Sequence, residues 1–165
     1  MKTLNKITDK KLIAAGFTDA DEQNQVRALC AFLDCDPDDL SKESYEHYGA
    51  LALYALGSKS YAIGTDSEAD KAAANNIEDS IWAFNASFLA SYTGLPEEMF
   101  SGMQDKCEDA NDAFKTCVER AEGGLAGFVE DAISADGRGH FMSSYDGNYE
   151  EFTVNDVTYY IFRLN

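Results

Sequence analysis

The sequence predicts an α+β fold, a single domain of about four to five helices packed against two β-hairpins. Three observations predict it. Apolar side chains recur at helical spacing in residues 19–34, 66–92 and 104–121. In residues 48–65 and 149–164, aromatic and β-branched residues instead flank the turn formers Gly57-Ser58 and Asn155-Asp156. Finally, 165 residues are the size of one ordinary domain, long enough to bury roughly 68–70% of the unfolded surface. An aromatic content of 12% argues against disorder, and the two prolines, Pro37 and Pro96, mark no linker.

The elements follow in order. Lys2, Lys6, Lys10 and Lys11 make residues 1–17 the one basic stretch, expected to be a mobile lead-in. Thr18 reads as an N-cap, with Asp19, Asp21 and Glu22 favoured in the first turn by the helix dipole. Val26, Leu29, Cys30 and Leu33 form the apolar stripe of that helix. Asp36 before Pro37 suggests a second, short helical start. The first hairpin covers Leu51, Leu53, Tyr54, Tyr61 and Ile63. Thr65-x-x-Glu68 is a capping box that opens a helix expected to run to about Tyr92 and end at Gly94. Ala73, Ile77, Ile81, Phe84, Phe88 and Tyr92 form its stripe. Ser101-x-x-Gln104 reads as the cap of a helix over 104–121, with Cys107, Ala110, Phe114, Cys117 and Val118 on its apolar face. Gly123-Gly124 breaks it, Leu125 to Ser134 reads as another helix, and residues 136–139 as a loop.

Thirty acidic against 13 basic side chains leave a net charge of −17. Such a surface repels nucleic acid and anionic membrane, so direct binding to either is not expected. A basic protein is the expected partner, and no cofactor is implied. Met1 to Lys6 carries no apolar signal core, and no apolar run nears the ~20 residues of a membrane span. A cytoplasmic location with reduced thiols is therefore expected.

Two groups of residues carry candidate chemistry. The first is an acidic binding surface: Asp105, Glu108, Asp109, Asp112 and Glu119 on the polar side of the 104–121 helix, with Asp36, Asp38 and Asp39. Five carboxylates over about 21 Å of helix are sparser than duplex phosphates, one per ~1.7 Å. Imitation of DNA would therefore need residues 19–46, of net charge −7, on the same side. The second is the glycine-flanked loop 137–147, with Arg138 to hold an anion, His140 as a base, and Tyr145 and Asp146 beside them. A turn at 145–148, with Arg138 merely paired to a carboxylate, explains the same residues.

Metal readings fail on spacing. Asp66, Glu68 and Asp70 begin like a calcium loop, but Lys71 and Ile77 stand where it needs Gly and Glu. Four cysteines with His47 and His140 match no zinc pattern. Cys107 and Cys117 read as buried thiols.

Three stretches carry a resemblance: Tyr61 to Ala72 (YAIGTDSEADKA), Ile81 to Leu89 (IWAFNASFL), and Gly137 to Gly147 (GRGHFMSSYDG), closing with Tyr159 to Asn165 (YYIFRLN). In these, residues 45–165 resemble small acidic proteins of tailed bacteriophages and prophages. The resemblance transfers no catalytic residue and leaves the first 44 residues uncovered. It brings no established activity, but together with the small size and the charge of −17 it leads to the expectation of a non-enzymatic accessory protein in the host cell cytoplasm that binds a basic host or phage protein and inhibits it, as a DNA mimic in the sharpest version. A small enzyme or ligand-binding domain using the 137–147 loop, or a virion structural or assembly protein, are the alternatives.

Overall fold

The computed structural model describes residues 7–44 and 48–165. Within them lie α1 (Asp9–Ala14), α2 (Ala20–Leu33), β1 (Leu40–Glu43), β2 (Ala52–Leu56), β3 (Lys59–Thr65), α3 (Asp66–Asp79), α4 (Ala86–Thr93), α5 (Glu97–Gln104), α6 (Asn111–Glu119), α7 (Gly124–Asp136), α8 (Arg138–Met142), β4 (Glu150–Val154) and β5 (Val157–Arg163). Short 3-10 turns occupy Pro37–Asp39, Ile81–Ala83 and Cys107–Ala110. The α+β class holds. The helices are more numerous and shorter than expected, and the strands form one sheet. The chain forms two compact units. One contains the described residues up to Ala72 with Arg138–Asn165, and the other contains Ala73–Gly137.

The first unit is built on an antiparallel sheet of order β1-β2-β3-β5-β4. Both expected hairpins form, and pairing of Ile63 with Ile161 joins them side by side. Asn155 and Asp156 take φ +50° and +64°, the left-handed turn that matches strand twist. Pairing with a neighbour on each side makes β3 a central strand, and Ser60 to Gly64 are all buried. Its alternate residues Tyr61 and Ile63 join Tyr54, Tyr159 and Ile161 in a core that α2 completes with Val26, Leu29 and Cys30. Leu53, Ala62 and Phe162 are buried on the opposite face. Strand β1 escaped the sequence pattern because Leu-Ser-Lys-Glu buries only Leu40. It is an edge strand, held by backbone pairing to β2, by Leu40 in the core and by the Lys42 ion pair with Glu22 of α2 at 2.7 Å.

Residues 9–14 are not a loose lead-in. They form α1, capped by Thr8, and place Leu12 fully inside the core. Lys2 and Lys6 lie outside the described residues. The α2 cap is Asp19 rather than Thr18, because the Asp19 carboxylate accepts the Asp21 and Glu22 amides at 3.0 and 3.1 Å.

The second unit corrects two expected helices. The first breaks after Asp79 and resumes at Ala86. Side chains from later in the chain satisfy the backbone groups that the break frees. Asn111 accepts from Trp82 N (3.1 Å) and donates to Glu78 O (2.9 Å), and Gln104 donates to Trp82 O (3.1 Å) and Phe84 O (2.7 Å). The helix drawn over 104–121 is likewise two. Helix α5 starts at Glu97 after Pro96, so Ser101 lies inside it, and Cys107 at φ +50° ends the continuity before α6. A single helical wheel across that break mixes two helices. Phe114 and Val118 are buried as expected, but Cys107 is exposed and Cys117 only partly buried. Gly123 and Gly124 take φ +94° and +59°, so the helix breaks there as expected and α7 starts at Gly124. No helix among the described residues is long and apolar enough to cross a membrane.

Candidate functional site

In the 137–147 stretch the expected loop is a short helix, α8, followed by a turn. Gly139 explains the glycines. A Cβ there would lie 2.3 Å from Gly147 O and 2.8 Å from Asn148 Cα, so the stretch folds tightly onto its own backbone. The close approach that glycine allows is to the chain itself rather than to a ligand.

Its four candidate side chains take different partners. Arg138 turns toward the start of α3, with Nη1 2.8 Å from Asp66 Oδ1 and 3.1 Å from Asp70 Oδ1. Its guanidinium lies 4.4 Å from the centre of the Tyr160 ring and 5.8 Å from that of Tyr149. Only 14% of the side chain is exposed, so Arg138 clamps α8 to α3 and the sheet. This is the bland reading of Arg138 foreseen from the sequence. It also accounts for the carboxylates that imitate a calcium loop: Asp66 and Asp70 hold Arg138. Glu68 accepts from Thr65 N (2.8 Å) and Thr65 Oγ1 (2.9 Å), so the threonine hydroxyl donates to the glutamate.

The Arg138 hydrogen bond and charge hold the Asp66 carboxyl below its ordinary value of 3.8. A folded-state pKa below the unfolded one stabilises the protein above the unfolded value, and that contribution is lost as pH falls through the folded one. NMR titration is expected to give Asp66 a midpoint below 3.8, and Arg138→Gln to raise it. Loss of the stacking is expected to cost about 1–2 kcal/mol in urea denaturation.

His140 is exposed, its ring edge-on to Phe141 at 5.0 Å. Tyr145 is 54% exposed and lies under the Arg163 guanidinium, 3.4 Å from the ring centre. The Asp146 carboxylate accepts from the Ser143 hydroxyl (2.9 Å) and Asn148 N (3.0 Å), closing the turn. The Ser143 hydroxyl also lies 2.7 Å from Arg163 O, tying this turn to β5. No base–nucleophile pair is assembled from Arg138, His140, Tyr145 and Asp146.

A cavity of about 200 Å³ lies nearby, lined by Phe32 and Leu33 of α2, Tyr61, Ile161, Arg163 and the 146–150 segment. Of the four loop candidates only Asp146 lines it. Arg163 faces it together with Asp146 and Glu150, so it combines a cation, two carboxylates and aromatic walls. Sequence reasoning missed this site because α2 and β5 stand more than a hundred residues apart.

The acidic candidates divide between the units. Asp36, Asp38 and Asp39 are all exposed; Asp36 pairs with Lys11 of α1, and Asp39 accepts Asp36 N at 3.0 Å within the local turn. In the second unit, Asp105, Glu108, Asp109, Asp112 and Glu119 are all exposed. Asp112 and Glu119 lie seven residues apart on α6, hence on one face, while the other three precede it. This unit holds 13 carboxylates against Lys106, Lys115 and Arg120, a net charge of −10. Lys115 is spent on Glu78, at 2.8 Å.

Among the described residues no group of three His, Cys, Asp or Glu is placed to hold a metal ion. His47 lies outside them. No protein-family model matches the chain, and no curated protein or solved structure is significantly similar to it.

Proposed function

We propose that this chain is a non-enzymatic accessory protein that binds a basic surface on a protein partner, and that the 73–137 unit supplies the contact. The supporting observation is the exposed set Asp105, Glu108, Asp109, Asp112 and Glu119 in a unit of net charge −10. Unneutralised carboxylates steer a cationic partner and are desolvated against it, so attraction is long-ranged and salt-sensitive. Nucleic-acid-handling enzymes are the partner class whose surfaces suit this charge. Inhibition follows where the chain occupies the groove that would take a phosphate backbone. Imitation of a regular duplex is the less favoured version, since the break at Cys107 interrupts the helical row on which it was drawn.

The test uses the full chain against a panel of purified bacterial DNA-binding enzymes. A complex is expected at low salt that weakens as salt rises and that duplex DNA displaces. Replacing all five acids by their amides is expected to weaken it roughly 10–100-fold. No complex at low salt, or one indifferent to that substitution, overturns the reading.

The cavity beside Arg163 favours a second reading, a small-ligand domain. At about 200 Å³ it lies below the ~300 Å³ at which ordinary ligand sites begin, which ranks this reading behind the first.

A further inference from the structure

The end of α2 brings together two thiols that neither the acidic surface nor the cavity requires. Asp34 adopts the left-handed conformation, φ 58° and ψ 45°, and reverses the chain after the last helical turn. The Cys30 carbonyl then accepts the amides of both Asp34 and Cys35, the latter at 3.2 Å. In such a cap the side chains flanking the reversal pack on one another, and here both are cysteines. Cys30 is only 2% exposed, while Cys35 is partly open to solvent.

We infer that Cys30 and Cys35 form a modification site, a dithiol that a low-molecular-weight disulfide closes into an intramolecular disulfide. Bridging needs Cα atoms within about 7 Å and facing Cβ vectors, which backbone hydrogen bonds across a tight reversal favour. The two thiols also hydrogen-bond to each other, Cys30 S–H donating to Cys35. That bond holds the Cys35 thiol below its ordinary pKa, against burial and the charges of Asp39 and Asp36, and the same bond with burial pushes Cys30 up. The partly exposed sulfur is therefore the nucleophile, and the buried one waits as a thiol.

The chemistry balances in two steps. Cys35 thiolate attacks one sulfur of R–S–S–R, its S–S bond breaks, and R–S⁻ leaves. Cys30 then gives its proton to the departing thiolate or to water and attacks the Cys35 sulfur, expelling the second R–S⁻. The protein loses two electrons and two protons, and one disulfide becomes two thiols. Closure ties down the segment carrying Phe32 and Leu33, which line the cavity.

The test treats the folded full-length protein with glutathione disulfide at neutral pH, blocks remaining thiols, and maps tryptic peptides by mass. Peptide 28–42 holds Cys30 and Cys35 and no other cysteine. It is expected to lose the mass of a hydrogen pair. The Cys30→Ser variant is expected to stop with a glutathionyl group on Cys35, and Cys35→Ser to leave Cys30 reduced. Exposed Cys107 serves as the internal comparison. The inference is overturned if peptide 28–42 of the native chain stays reduced while Cys107 reacts, or if a glutathionyl group persists on Cys35 without closure. The native-chain measurement decides by itself if a variant fails to fold.

Discussion

Replacing Gly139 with alanine is expected to destabilise the protein by about 3 kcal/mol or more. The added methyl would meet Gly147 O at 2.3 Å, Asn148 Cα at 2.8 Å and Gly147 C at 2.9 Å. All three are backbone atoms, so no side chain can swing aside. The 146–148 turn must move instead, and with it the Asp146 bonds to Ser143 and Asn148. At ~2–4 °C per kcal/mol for a chain of this size, Tm falls by roughly 6–12 °C. Gly102 is the control. It lies in α5 with nothing within 4 Å of an added Cβ, and alanine there is expected to stabilise by up to ~1 kcal/mol. Thermal and urea unfolding of the two variants measure the contrast. Equal effects would show that the crossing at Gly139 does not constrain the fold.

The second large effect is expected at Phe128, which is fully buried in the 73–137 unit. Its ring meets Phe84 at 5.1 Å, Phe88 at 5.4 Å and Tyr92 at 5.2 Å, all in tilted or edge-to-face geometry. Phe128→Ala removes the ring that these three share, leaving a cavity their own contacts keep from closing, at a cost of about 3–5 kcal/mol. Phe128→Leu retains much of the volume and is expected to cost about 1–2 kcal/mol. The Tyr92 hydroxyl, which donates to Gly124 O at 2.6 Å, has its position set partly by the same packing. Near-UV circular dichroism should therefore fall in Phe128→Ala, with denaturant unfolding giving the energy. A cost under ~1 kcal/mol for the alanine variant would refute the shared-ring account.

The two glycine and aromatic effects differ in how visible they are in the sequence. Phe84, Phe88 and Tyr92 fall on a stripe that periodicity picks out in the sequence, although only Phe88 and Tyr92 lie on α4 and Phe84 lies in the break before it. The interruption is invisible locally, because its carbonyls and amides are satisfied by Gln104 and Asn111, roughly 20–30 residues onward. Gly139 draws attention as a glycine, but only the crossing chain shows which neighbour requires it.

The same division holds for the candidate site. Charge and exposure of Asp105, Glu108, Asp109, Asp112 and Glu119 follow from composition, since unpaired carboxylates avoid burial. The diversion of Arg138 to Asp66 and Asp70 does not, because its partners lie about seventy residues earlier.

Local pattern by itself determined the α+β class, both hairpins and their turns, the α2 and α7 helices, and the acidic excess. These rest on period, turn chemistry and charge, which are properties of neighbouring residues. Tertiary structure alone decided that the hairpins join through β3 and β5, that Leu40 to Glu43 is a strand, that Cys107 faces solvent, and where the loop's charged groups go. Each of these depends on which distant group satisfies a hydrogen bond, pairs a charge or fills a space, and that partner is chosen only when the chain closes on itself.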